Sequence, residues 1–380
     1  MSSSAVKNTA LKAPLSLDAV ILSVTLLLVG FGLLMLYSTT ANVSYERFAD
    51  SYFFVRRQGV AALIGIVAML VCTIVKPNLL ARISPYLLIA CLFLLVLPLM
   101  PGISGHAGGA SRWVNLFGVR FQPGEFVKLL FVIFLAGYLS RREGTLHTFR
   151  QGILIPGLLV GLVAAMLLLQ PDFGSAALLV CITIAMIMSA GARLRYVIYG
   201  GISAAVVLVG LVLISPYRMR RVFSFLNPEQ DPGGSGYQLI QSLIAVGSGQ
   251  LSGVGLGASQ QKLFFLPAAH TDFIFSVIAE ELGFIGCLVL IAAFILFFWR
   301  GMQIARCWAE DTFIFSLVVG LTMLIVLPAF LNMGVSIGLL PTKGMVLPLV
   351  SYGGSSLVAS LMTVGLLLSS ARYLRIKKSK

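Results

Sequence analysis

Charge is scarce in this sequence. Asp, Glu, Lys and Arg together make up 11% of 380 residues, and only 13 are acids. Soluble domains carry about 25% charged residues, so a soluble globular chain is excluded. Histidine is scarcer still, with three (His106, His147 and His270), and none stands in HExxH spacing. The five cysteines (Cys72, Cys91, Cys181, Cys287 and Cys307) are scattered in or beside apolar stretches. That spacing gives neither a metal site nor a disulfide framework and leaves buried thiols. There is no GxxxxGK[ST] phosphate loop. The run GSGQLSGVGLG, 247–257, has the look of a dinucleotide fingerprint but no βαβ unit around it. It reads as a close-packing loop or re-entrant turn. No internal repeat is evident, which counts against a transporter built from inverted halves.

What the chain does have is apolar length. Hydrophobic residues make up 58%, and the mean hydropathy is +0.99. A helix crosses the hydrocarbon with about 20 apolar residues. Ten segments qualify, near 19–38, 59–75, 84–100, 124–140, 153–169, 175–191, 197–215, 276–299, 312–331 and 352–371. The first has too long an apolar region for a cleavable signal and no small-residue cleavage site after it. The predicted class is an all-α integral membrane protein of about ten transmembrane helices.

The net charge of +14 is explained by where the cations lie. If the N-terminus is cytoplasmic, the inner pieces hold Lys7, Lys12, Lys76, Arg82, Arg141, Arg142, Arg150, Arg193, Arg195, Arg300, Arg306 and the basic tail from Arg372. Against these stand the acids Asp18, Glu143, Glu310 and Asp311. Every short inner loop is basic, as the positive-inside rule requires. Both termini are therefore expected in the cytoplasm. The tail RIKKSK reads as an anchor near anionic membrane lipid, with no nucleic-acid partner. The expected plan is a tail at 1–17, one membrane domain at 18–371 and a basic tail at 372–380. Outer connections fall near 101–123, 332–351 and, between helices 7 and 8, the large 216–275.

Polar information concentrates on the outer face. Ionisable groups at membrane segments are functional candidates by default. In HTDFIFSVIAEELG, 270–283, His270 and Asp272 precede an apolar run, and Glu280 and Glu281 follow two turns later. A helix beginning at 272 would put Asp272, Ser276 and Glu280 near one face. Asp272 is the strongest candidate; Glu280 and Glu281 fit packing roles equally well. Glu125 and Lys128 share a face at i, i+3. Arg56, Arg57, Arg112, Arg120, Arg218, Arg220, Arg221, Lys262 and Lys343 stand at the same outer level. Arg forks bind phosphate in pairs of bonds and Lys binds it as a point charge, so a lipid phosphate or pyrophosphate fits; interfacial snorkelling accounts for some of these cations. Asp172 in QPDFGS reads as turn chemistry.

RWVNLFGVRFQPGEFVKL, QPDFGSA, NPEQDPGGSGYQLIQSLIAVGSGQLSGVGLG, HTDFIFSVIAEELG and GLLPTKGMVLPLVSYGGSS occur in one order over residues 18–375. Together they resemble the SEDS family (shape, elongation, division and sporulation). The Thr342-Lys343-Gly344 stretch is closer to the division member than to the elongation member, and a sporulation paralogue looks much the same. The resemblance implies a glycosyltransferase polymerising lipid II at the outer face of the bacterial cytoplasmic membrane. It implies Asp272 as the essential residue and Glu125 and Lys128 as cavity lining. A basic residue opening the second helix is also implied, taken here as Arg57. Gly124 stands where serine is more usual. Arg221 and Lys343 join the expected pyrophosphate site, with His270, Glu280 and Glu281 supporting. A divalent cation, Mg or Mn, bridging the pyrophosphate is expected from the chemistry of the substrate alone. No protein metal site is expected. A class B penicillin-binding protein and other division proteins are the implied partners. A lipid II flippase and a non-catalytic scaffold are the rival readings.

Overall fold

The computed structural model describes residues 16–100, 104–107, 110–116, 119–230, 234–263 and 265–379. Nearly all of the expected tail 1–17, and the side chains of 375–380, lie outside the described residues. In chain order the helices are α1 (Ser16–Phe48), α2 (Phe53–Ile74), α3 (Pro77–Val96), α4 (Pro123–Arg141), α5 (Ile155–Leu169), α6 (Phe173–Ser189), α7 (Leu194–Leu213), α8 (Pro216–Leu226), α9 (Ser235–Ser248), α10 (Ile274–Arg306), α11 (Thr312–Ser336) and α12 (Gly354–Ser379). Among the described residues, nine helical segments are long and apolar enough to cross a bilayer. The shorter α6, at 17 residues, makes the tenth of the expected set. Proline occupies the first turn of α3, α4, α5 and α8, where its missing N–H costs nothing. Asp172 and Asp311 cap α6 and α11 through Ser175 N and Ile314 N.

Two of the connections expected on the outer face hold structure that composition did not announce. Residues 216–275 contain α8 and α9 instead of an open loop. Residues 101–123 contain a three-stranded antiparallel sheet of β1 (Ser104–Ala107), β2 (Ala110–Leu116) and β3 (Val119–Phe121), in the order β1-β2-β3. Strands this short carry a weak sequence signal beside membrane segments of twenty residues.

The helices divide by burial. α4, α11 and α12 are enclosed by neighbours, whereas α2, α3 and α7 turn most of their surface outward. Small residues permit the close approaches, as expected where lipid supplies no hydrophobic drive. A Cβ on Gly365 of α12 would stand 2.4 Å from the Met69 carbonyl of α2, and one on Gly301 of α10 would stand 2.3 Å from Thr322 Oγ1 of α11.

α10 is broken. Gly283 has φ 64° and ψ −165°, a conformation open to glycine. The break orphans backbone groups on both sides, and the loop after α9 satisfies them. Val254 N and Gly255 N donate to the carbonyls of Glu280 and Glu281, each at 3.0 Å. Phe284 N and Ile285 N donate to Gln250 O and Leu251 O, at 2.8 and 3.2 Å. The glycine run 247–257 is thus a backbone patch on a split helix. Gly253 (φ 78°) must be bare, because a Cβ there would meet Glu281 O at 2.2 Å.

Candidate active site

Asp272 sits in a turn just ahead of α10. Thr271 N and Asp272 N donate to Ala268 O at 3.0 and 3.2 Å, and Ala268 takes φ 57° to allow it. The carbonyls of three successive residues are then clamped from outside. Tyr352 N donates to His270 O at 3.0 Å. Ser351 Oγ donates to Thr271 O at 2.6 Å. Asn332 Nδ2 donates to Asp272 O at 2.7 Å and also to Met345 O at 2.6 Å. Gln58 of α2 fixes the clamp in turn, donating to Ser351 O and accepting from Gly353 N, both at 3.2 Å.

The backbone of Asp272 is held while its carboxylate is not. Among the described residues the carboxylate is in hydrogen-bond or ion-pair contact with no group. Gly344 leaves room beside it, where a Cβ would stand 3.2 Å from Oδ2. Burial pushes this carboxyl up to about 6, against the opposing pull of Arg221 and Arg112. The expected shared face of Asp272, Ser276 and Glu280 is not formed, because α10 starts at Ile274. Ser276 instead bonds Ser242 Oγ at 2.6 Å.

The cations arrive from separate elements. Arg221 of α8 lies over the Tyr217 ring and donates to Thr342 O at 3.3 Å. Lys343 donates to Gly174 O at 3.2 Å and lies 5.4 Å from the Phe173 ring centroid, which Arg218 also approaches at 5.1 Å. Burial brings Lys343 down to about 8; Asp172 and Cys181 oppose that fall, and Lys128 adds to it. Lys128 pairs with Glu125 at 2.7 Å, both largely buried. Arg112 donates to Gln170 O at 3.1 Å and to Pro171 O, which carries β2 onto the α5–α6 turn. Thr342 Oγ1 is buried with no partner among the described residues.

Asp272, Arg221, Arg112 and the 342–344 loop therefore converge, with Lys343, Asp172, Lys128 and Glu125 adjoining. Arg57 is exposed against the Phe53 ring, 4.5 Å from its centroid, and contacts none of these residues among the described ones. His270 packs between Phe54 and Tyr352, and burial with the Arg47 charge holds it below its ordinary value. Glu280 accepts from Ser259 Oγ and from Gln260 N at 2.9 Å. Glu281 accepts from Ser38 Oγ at 2.7 Å and from Lys262 Nζ at 2.7 Å. Both tie the loop before Asp272 to α10 and α1. The clamp residues Gln58, Asn332 and Ser351 are absent from the sequence reading. Asn332 and Gln58 did carry a signal, as uncharged amides directly at the edges of apolar segments.

Among the described residues no three His, Cys, Asp or Glu side chains come together to hold a metal. Asp172 is spent on a cap and Glu125 on an ion pair, so this donor set does not form a resident metal site.

A family model described as "Cell cycle protein", covering FtsW, RodA and SpoVE, matches residues 18–376. The chain belongs to that family. It is 44% identical to the probable peptidoglycan glycosyltransferase FtsW of Trichlorobacter lovleyi, over 94% of each chain. It is 43% identical to the stage V sporulation protein E of Bacillus subtilis, over 94% of this chain and 98% of that one. A solved chain from a study of a peptidoglycan synthase complex superposes with a TM-score of 0.76 at 29% identity, over 93% of this chain and 97% of that one. The rod shape determining protein RodA of Thermus thermophilus superposes at 0.67 with 26% identity, over 93% and 95%. The expected family and the multi-pass helical fold are thus both borne out.

Proposed function

We propose that this chain is a peptidoglycan glycosyltransferase that polymerises lipid II at the outer face of the cytoplasmic membrane. The observation that carries this reading is the Asp272 carboxylate, rigid in its backbone, unpaired, raised to about 6 and facing arginines. A general base works best with a value near the operating pH. The acceptor sugar's 4-hydroxyl gives its proton to Asp272 as its oxygen bonds the donor's anomeric carbon. The bond from that carbon to the lipid-linked pyrophosphate breaks, the electron pair leaves with the pyrophosphate, and configuration inverts. Arg221 and Lys343, with Lys128 adjoining, meet the charge that builds on the leaving group. The unpartnered Thr342 hydroxyl has a proton to offer a phosphate oxygen. Glu125 holds Lys128 in position through their ion pair. Arg57, exposed at the start of α2, stands apart from this cluster and carries none of these steps. A divalent cation would enter with the pyrophosphate, and no step above depends on it.

The likeness to a chain from a peptidoglycan synthase complex supports a class B penicillin-binding protein as partner. The similarity to FtsW supports septal synthesis alongside other division proteins. The test is polymerisation of labelled lipid II by purified protein, alone and with that transpeptidase, against Asp272→Asn. Glycan ladders from wild type and none from the variant support the reading. Ladders that survive in Asp272→Asn remove Asp272 as base.

A further inference from the structure

A cavity of about 700 Å³ lies at the end of the bundle away from Asp272. It is framed by the α2–α3 turn, the α10–α11 turn and the last turns of α12. This is the end where the short connections are basic. Its volume falls in the ~300–1,000 Å³ range of ligand sites.

The walls are chemically uneven. Trp308 and Tyr373 stack in the cavity wall, with ring centroids 6.1 Å apart and planes 17° from parallel. Trp308 is pinned by its Nε1 donating to Ser370 O at 3.1 Å, and Tyr373 OH accepts from Asn78 Nδ2 at 3.3 Å. Ser369 Oγ is spent on Val75 O, and Asp311 on its cap to Ile314 N. Two lining cations have no side-chain partner among the described residues. The side chains of Lys76 and Arg372 make no hydrogen bond or ion pair among the described residues, although both line the cavity. Ile74, beside them, is 70% exposed on the surface that faces lipid.

Two cations without a partner among the described residues, in a cavity with aromatic walls and an apolar lip, fit a headgroup that carries a phosphate and stays attached to acyl chains. Basic pockets between transmembrane helices on the cytoplasmic side bind acidic headgroups in this way. We propose that this cavity is a binding site for an anionic glycerophospholipid of the inner leaflet. Lys76 and Arg372 hold its phosphate, and its acyl chains lie along the outward faces of α2 and α3.

The experiment uses full-length protein in neutral detergent, titrated with phosphatidylglycerol and separately with phosphatidylcholine, with retained lipid counted by native mass spectrometry. The expected result is one saturable phosphatidylglycerol and no matching retention of phosphatidylcholine. Lys76→Gln with Arg372→Gln should weaken binding by about tenfold or more. Arg193→Gln with Arg195→Gln, at the same end but outside the cavity, should not. Equal binding in the Lys76/Arg372 variant overturns the proposal, and so does equal loss in the Arg193/Arg195 variant. Displacement by equimolar inorganic phosphate would assign the site to a free anion and overturn the lipid reading.

Discussion

Asn332 bridges two backbones that meet at the site: its amide donates to the carbonyl of Asp272 at 2.7 Å and to that of Met345 at 2.6 Å. One side chain near the end of α11 thereby sets the turn that bears the carboxylate against the loop that bears Lys343.

Replacing Asn332 by Ala should leave both carbonyls without their donor, costing about 1–3 kcal/mol for each buried group left unpaired. The larger effect should be on turnover, because displacement of a catalytic group by about 1 Å costs on the order of 10²-fold. Steady-state polymerisation should show kcat falling more than KM rises. A variant with lowered melting temperature and unchanged kcat would make Asn332 structural only.

Asp272→Asn should reduce polymerisation by about 10²–10⁴-fold, the range for losing a general base. Binding of lipid II should persist, since the arginines and lysines are untouched. Binding lost together with rate would mean that Asp272 holds substrate.

The same substitution should raise stability. A carboxyl raised in the folded state binds its proton more tightly there than when unfolded. Its favourable contribution is full below the unfolded value and is lost as pH rises through about 6. At pH 7.5 Asp272→Asn should therefore melt above wild type in detergent, and the gap should close as pH falls below about 6. A variant melting below wild type at pH 7.5 contradicts this.

Activity should follow a bell in pH. Asp272 must lose its proton, near 6, and Lys343 must keep its own, lost near 8. The acid limb should vanish in Asp272→Asn residual activity. The alkaline limb should move up in Lys343→Arg, whose guanidinium does not titrate in this range.

The Lys262–Glu281 pair is buried, at 2.7 Å. Removing one partner strands the other, a loss of about 3–5 kcal/mol. Glu281→Leu alone and Lys262→Met alone should each lower the melting temperature sharply, and the double variant should recover much of it. A double variant no better than the worse single would show that the pair does not act as a unit.

The membrane helices were legible because each is a run of about twenty apolar residues, and lipid imposes that length. Asp272 was legible through its position at a segment boundary and through the family motifs. What the sequence hid is long-range. Asn332, Ser351 and Gln58 meet the HTDF turn from three elements, and no local pattern encodes those meetings. Glu280 and Glu281 read as ambiguous because their partners Ser259, Lys262 and Ser38 lie 19 to 243 positions away. The glycine run 247–257 announced close packing, but its purpose depends on Gly283, a break inside what reads as one uninterrupted helix.

That break acts as a depth gauge. At 1.5 Å per residue, a straight α10 would carry Asp272 about 16 Å beyond Gly283, past the last turn of the α11 helix packed alongside. The bend folds that distance back, so that Asp272 lies level with Asn332. In a lipid-linked substrate the pyrophosphate is held at headgroup height by its own tail, so reach along the membrane normal is fixed. The break at Gly283 therefore sets the height at which the carboxylate stands, beside Asn332 and the 342–344 loop.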